Sequence, residues 1–276
     1  MVALNCYTVR MPDFKKPKPN YPAKKPVKDT SWGKVAPWYD DLLESGEGTY
    51  QSDLILPNAL RLLAPKKGEK VLDLACGQGF FTREIFKAGA NVVGADISKE
   101  LIELAKKQSP KEIEYTVTPA DKLRFLANGS VEAILCVLAI QNMKNVPSVF
   151  AECSRVLKSG GRMVFVLNHP AFRIPKRSGW EMDKEKKIQY RRVDEYISES
   201  ESEIAMHPGA LPSVATVSFH HPLQFYFKAM HKAGLAVCRL EEWISNKQSQ
   251  PGPNAGAENK ARKEFPLFMA IEARKF

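Results

Sequence analysis

Asp73, Gly77, Gly79, Asp96, Asp121 and the histidines at 169, 220 and 221 are the residues whose types and spacing could do chemistry. Two glycines one residue apart let the backbone come close to a ligand and aim the free N–H groups of a following helix at it. Asp96 stands seventeen residues beyond Gly79 at the end of an apolar run. A carboxylate there can accept hydrogen bonds from both hydroxyls of a ribose, so the predicted ligand is a nucleoside derivative. A dinucleotide fingerprint needs a third glycine, and Phe80, Phe81 and Thr82 stand in its place; G-x-x-x-x-G-K-[ST] is absent too. A nicotinamide-binding turn and a purely structural turn are the competing readings. Histidine exchanges its proton near neutral pH. His169, His220 and His221 stand at segment ends, where each could be a general base or a polar lining residue.

These residues need elements to hold them. Val71, Leu72 and Leu74 read as a buried strand, and Phe80 to Lys87 as a helix stopped by Gly89. Asn91 to Ala95 is a second strand. Ser98 caps a helix over 99–108, and Glu112 to Val117 is a third strand. Ser130 to Ala139 is almost wholly apolar, as a central parallel strand should be. Its end at Leu138 borders the ligand, because ligands of open α/β sheets bind beyond the carboxyl ends of the strands. A helix over 145–157 stops at Ser159-Gly160-Gly161. The fifth strand, Arg162 to Leu167, leads to Asn168-His169-Pro170. Residues 171–216 leave the pattern, with exposed alternation at Ile188, Tyr190 and Val193 and a charged run over 198–203 that reads as solvated. An insert of that length is read as a lid. A helix from Leu223 to Gly234, a strand over 236–243, a loop over 250–256 and a last strand over 268–273 complete the chain. Two helices precede the core, over 31–44 and 52–64.

The run Asp73-x-x-Cys76-Gly77-x-Gly79 resembles the first motif of the class I methyltransferases that use S-adenosylmethionine, in particular the type 11 group of small-molecule, quinone and natural-product enzymes. Ala75 departs from the pattern, where a glycine often stands. The Leu157-Lys158-x-Gly160-Gly161 run before a strand is similar to the family as well. The resemblance implies a doubly wound, seven-stranded, mostly parallel Rossmann-like α/β sheet, with N-terminal helices over the cofactor and a last strand inserted antiparallel. It also implies that Asp73, Ala75, Cys76, Gln78, Ile97 and Leu138 join Gly77, Gly79 and Asp96 in holding S-adenosylmethionine, and that Asp121 meets the adenine amino group. A helix N-cap is the alternative role for Asp121. Trp38, Tyr39 or Tyr50 would reach the pocket from the N-terminal helices. His169 and His220 are the catalytic candidates, should the acceptor have to lose a proton, with His221 behind them. The acceptor is expected to be a small molecule. An RNA- or protein-modifying enzyme and a non-catalytic cofactor-binding protein are the alternatives.

The formal charge of +10 is concentrated at one end. Residues 1–28 carry seven basic side chains against Asp13, amid five prolines, so a Lys/Pro-rich flexible arm over 1–30 precedes one domain over 31–276, with the lid over 169–220. The rest of the chain has no polyanion-sized field. Nucleic-acid contact through the arm is therefore the less favoured reading. The five cysteines show no C-x-x-C and no His at metal-ligand spacing, so no metal is expected, and a reducing, cytoplasmic compartment is. No apolar stretch approaches the length of a membrane span.

Overall fold

A computed structural model describes residues 48–205 and 215–276. The arm and the helix expected over 31–44, with Trp38 and Tyr39, lie outside them. The main sheet is built from β1 (Lys70–Leu74), β2 (Asn91–Asp96), β3 (Glu114–Val117), β4 (Val131–Val137), β5 (Leu157–Asn168), β10 (Leu235–Trp243) and β11 (Phe268–Lys275), in the order β10-β11-β5-β4-β1-β2-β3. β11 alone runs against its two neighbours, and the β1–β2, β1–β4, β2–β3 and β4–β5 pairs are parallel.

Strand alternation sends successive side chains to opposite faces, and here both faces are dry. Ile134 and Cys136 of β4 enter one core with Phe165, and Ala133 and Leu135 enter the other with Val164 and Val166. The first core is closed by α4 (Val146–Val156) and α5 (Leu223–Lys232) through Phe150, Cys153, Tyr226 and Met230. The second is closed by α1 (Leu56–Leu63) and α2 (Phe80–Lys87) through Leu62, Leu63, Phe81 and Ile85. Each fully buried Leu, Ile or Phe stabilises the fold by about 1.5–3 kcal/mol, so residues 133–136, all fully buried, anchor the sheet's centre. A third cluster joins α3 (Lys99–Gln108) to β3 through Ile102, Ala105 and Tyr115.

Three expectations change. Ser159-Gly160-Gly161 does not separate helix from strand, because β5 already begins at Leu157. The register jumps from Val131↔Leu157 to Ala133↔Arg162, so residues 158–161 bulge out with Gly160 at φ 72°. A Cβ on Gly161 would lie 2.8 Å from the Lys158 carbonyl oxygen, which is why the second glycine is needed. The charged run over 198–203 is not irregular: β8 (Ser200–Ala205) pairs antiparallel with β9 (Ala215–His220), while Glu201 and Glu203 stay exposed. A second hairpin joins β6 (Ser178–Asp183) and β7 (Ile188–Val193), where alternation is legible in the sequence. The third is α6 (Ala255–Glu264), which begins inside the expected loop. No helix among the described residues is long and apolar enough to cross a membrane.

Candidate active site

β1 ends at Leu74 and the chain turns at once into left-handed backbone, with Ala75 at φ 57° and Gly77 at φ 58°. The Cys76 amide donates to the Ala95 carbonyl at 3.1 Å, which fastens the turn to β2. The Gly77 amide donates to Asp96 Oδ2 at 3.0 Å, and Ser98 N donates to Oδ1 at 2.8 Å. Each carboxylate oxygen therefore spends one acceptor position on the scaffold and keeps others for a ligand. Burial raises the Asp96 pKa, and its backbone hydrogen bonds with Ser98, Gly77 and Ile97 oppose that rise.

Beyond this turn lies a cavity of about 680 Å³, lined at the carboxyl ends of β1, β2, β4 and β5 by residues including Ala75, Gly77, Asp96, Leu138 and Asn168. That is where an open α/β sheet binds its ligand. Ile97 and Asp121 line the same space. Asp121 sits in a turn, and no α-helix follows before α4, so it caps none. Leu138 has φ 52°. Its carbonyl accepts from Gln141 Nε2 at 2.7 Å, which leaves the buried Gln141 Oε1 without a partner. Two non-glycine residues in left-handed backbone thus flank the cavity, at the ends of β1 and β4. Such strain persists only where the surroundings over-determine it, and it clusters at ligand sites.

Asp73, Cys76 and Gln78 do not face this space. They line a smaller cavity of about 40 Å³ beneath the turn, which shares Ala75, Gly77 and Leu138 with the larger one. Asp73 is 2% exposed and accepts from Thr82 Oγ1 at 2.5 Å. Burial, with a further push from the Asp96 charge, raises its pKa to about 7 against the Thr82 hydrogen bond. Gln78 is likewise buried, with Nε2 unpartnered. Gly79 lines neither cavity. It precedes α2 at φ 86°, and a Cβ there would lie 2.5 Å from Tyr115 Oη. Packing and handedness therefore both require a glycine there.

The histidines sit away from the cavity lining. His169 is stacked on Phe172 at 4.7 Å between centroids. Its Nε2 lies 2.7 Å from Glu242 Oε1, and its Nδ1 accepts from Ala171 N at 3.2 Å. Desolvation lowers its pKa, opposed by Glu242. His220 Nε2 lies 2.8 Å from the Tyr196 carbonyl. His221 is stacked on Phe225 at 3.8 Å, and its Nδ1 lies 3.4 Å from Glu199 Oε2. The side chains at the cavity are their neighbours, Asn168 and Ser218. Ser218 lies opposite Ser202 on the hairpin face that also carries Ile204, and Asn142 Nδ2 pins the hairpin by donating to the Val217 carbonyl at 2.8 Å. From the N-terminal side Gln51 lines the cavity, whereas Tyr50 turns its hydroxyl to Ser245 Oγ at 2.7 Å. Sequence patterns gave no signal for Gln51, Ile204 or Ser218.

The fit to S-adenosylmethionine rests on three features: the close-approach turn, a carboxylate with spare acceptor positions, and the unpartnered buried Oε1 of Gln141 in the cavity wall. Comparison with known proteins agrees. Residues 72–165 match the family described as methyltransferase domain. The biotin biosynthesis bifunctional protein BioHC of Cellvibrio japonicus is 28% identical over 71% of this chain and 37% of its own length. The demethylmenaquinone methyltransferase of Tropheryma whipplei is 36% identical over 41% of this chain and 47% of its own. The chain thus spans about half or less of these curated relatives. A crystal structure of an S-adenosylmethionine-dependent methyltransferase from Mesorhizobium loti superposes with a TM-score of 0.65 at 25% identity, over 83% of this chain and 99% of that one. By domain match over residues 72–165, sheet order and glycine turn, the chain is similar to the class I S-adenosylmethionine-dependent methyltransferases.

Proposed function

We propose that this protein transfers the methyl group of S-adenosylmethionine to an oxygen, nitrogen or carbon atom of a small-molecule acceptor in the cytoplasm. The observation that carries the reading is Asp96, tied by Oδ2 to the turn at Gly77 and by Oδ1 to Ser98, and facing the cavity. Bound there, the cofactor supplies an electrophilic methyl on a sulfonium centre. The protein's own task is then to align the acceptor and to exclude water.

In this reading Asp96 holds the ribose, Ile97 and Asp121 border the adenine, and Ala75, Gly77 and Leu138 form the floor. Asp73, Cys76, Gln78 and Gly79 act beneath that floor and hold its shape. The hairpin β8–β9 is the outer wall and, with the rest of the insert over 169–220, the lid. His169 and His220 hold the ends of that insert through Glu242 and the Tyr196 carbonyl, and we assign neither as the general base. The unpaired Cys76, Cys136, Cys153 and Cys238 of the described residues support a reducing compartment. Relatives named for quinone biosynthesis and the apolar lining contributed by Leu138, Met143, Val149 and Ile204 favour a small acceptor. Isothermal titration with S-adenosylhomocysteine tests the assignment. Asp96→Ala should weaken binding by about 1.5–3 kcal/mol, the worth of a hydrogen bond to a charged group. Unchanged affinity in a folded Asp96→Ala protein would refute it.

A further inference from the structure

The chain leaves β5 at Asn168, which lines the cavity, and turns so that Arg173 N donates to the His169 carbonyl at 2.8 Å. This carries the Arg173 guanidinium back over the ring of Phe268, 5.3 Å from its centroid. Phe268 is the register partner of Asn168. Two more cations stand nearby. Arg191 lies 5.1 Å over the Trp180 ring, with Nε donating to the Phe172 carbonyl at 2.5 Å and Nη2 to Ser178 Oγ at 2.9 Å. Lys247 Nζ lies 4.8 Å over the ring of Tyr50, the residue before Gln51 of the cavity wall.

Other cations of the insert behave differently. Arg192 pairs with Asp194 and Glu181, and Arg177 with Glu195. Arg173, Arg191 and Lys247 pair with no carboxylate among the described residues. Arg173 is partly buried. Its pKa is lowered first by burial and then by the Arg191 charge, whereas the nearby Tyr50 raises it. Three cations seated on aromatic faces, Arg173 and Arg191 partly buried and Lys247 exposed, keep hydrogen-bond donors that nothing in the described chain uses. A partly buried guanidinium with no carboxylate beside it favours an arriving anion, and its planar fork suits a carboxylate in two-point contact.

We propose that Arg173, supported by Arg191 and Lys247, forms an anion subsite beyond the ends of β5 and β11, beside the cavity wall at Asn168 and Gln51, and recognises a carboxylate on the methyl acceptor. The inference rests on the methyltransferase reading for the word acceptor and on the cation cluster for the word carboxylate. The subsite adjoins the ends of β5 and β11, whereas the ribose carboxylate Asp96 ends β2, on the far side of β4 and β1 in the sheet. The aromatic rings of Phe172, Phe268, Tyr50 and Trp180 would flank the apolar body of such an acid.

The test uses the full-length protein, with and without saturating S-adenosylhomocysteine, titrated calorimetrically with benzoate and hexanoate, each beside its neutral amide. At least one acid should bind more tightly than its amide by roughly tenfold or more, the worth of one charge-assisted hydrogen bond. Arg173→Gln should remove that preference and Arg173→Lys should restore part of it, both with wild-type melting curves. Affinity for S-adenosylhomocysteine should stay within about twofold in both variants, well under the tenfold that one such bond is worth. Equal binding of acid and amide, absence of binding by both acids, or an undiminished preference in Arg173→Gln would overturn the subsite. A parallel loss of S-adenosylhomocysteine affinity would also overturn it, by giving Arg173 to the donor's own carboxylate. Wild-type protein that prefers the acids but binds no S-adenosylhomocysteine would sink the methyltransferase reading and leave the anion subsite standing.

Discussion

Gly79→Ala separates a glycine that serves a ligand from one that serves packing. At φ 86° a side chain costs roughly 1–2 kcal/mol of left-handed strain. The new methyl would also sit 2.5 Å from Tyr115 Oη, 3.2 Å from Cζ and 3.3 Å from the Ala105 methyl, and overpacking of that kind costs about 1–3 kcal/mol. The sum is about 2–5 kcal/mol, which for a chain of this size lowers the melting temperature by roughly 4–20 °C. Tyr115→Phe removes the closest atom, at the loss of its 2.8 Å hydrogen bond with Ser109. In that background Gly79→Ala should cost at least about 1 kcal/mol less, read as the coupling in a double-mutant cycle of urea melts. S-adenosylhomocysteine affinity of the folded Gly79→Ala protein, measured by titration at low temperature, should stay within a few-fold. Equal costs in the two backgrounds would refute the packing argument. Loss of affinity with full stability would return Gly79 to the ligand.

Asp73 titrates near 7 in the folded chain against about 3.9 unfolded. A raised carboxyl pKa stabilises at low pH, and that contribution falls as pH rises between those two values. Wild-type melting should therefore decline from pH 5 to pH 8 more than that of Asp73→Asn, by about 2.7 kcal/mol; matching slopes would exclude Asp73 as the cause. Ala75→Gly should gain about 0.5–1 kcal/mol in urea melts, because the left-handed strain at φ 57° exceeds the entropy cost of a glycine; a loss would show that the alanine methyl packs productively. Replacing residues 171–216 with a short Gly/Ser linker should leave S-adenosylmethionine affinity within a few-fold and remove methyl transfer, since Ile204, Ser218 and Arg173 are lost or displaced together. Full turnover of an acceptor by that variant would show that the insert is not the lid.

Most of the sheet is legible in the sequence because period-two burial and glycine stops are local signals: β1, β2, β4 and the turn at Gly77 lie where the pattern puts them. What escapes is what side-chain type does not encode. Ala75 and Leu138 adopt left-handed backbone because the surrounding hydrogen bonds force it. Ser200 to Glu203 alternates serine with glutamate and so looks solvated, yet the serine register is the one that carries Ile204 toward the cavity. α6 buries only Ala261, too little for a hydrophobic stripe. His169 misleads by a single position: Asn168, next to it, takes the cavity face, and His169 turns to Glu242. One residue of register reverses which side chain meets the ligand.

β11 has a kinetic consequence. Its insertion between β5 and β10 pairs Phe268 with Asn168, two positions a hundred residues apart along the chain. The strands that frame the donor side, β1, β2 and β4, lie close together in sequence, between Lys70 and Val137, and can zip with short loop closures. The outer edge of β5 has no partner until β11 arrives, so the acceptor end forms by the longest-range contacts in the sheet, which form slowly. During synthesis from the N-terminus, the nucleoside half of the site can exist before the half that selects what is methylated. A nascent chain stopped before residue 268 would hold its donor-side fold while offering an open, hydrogen-bond-hungry strand edge to whatever chain lies beside it.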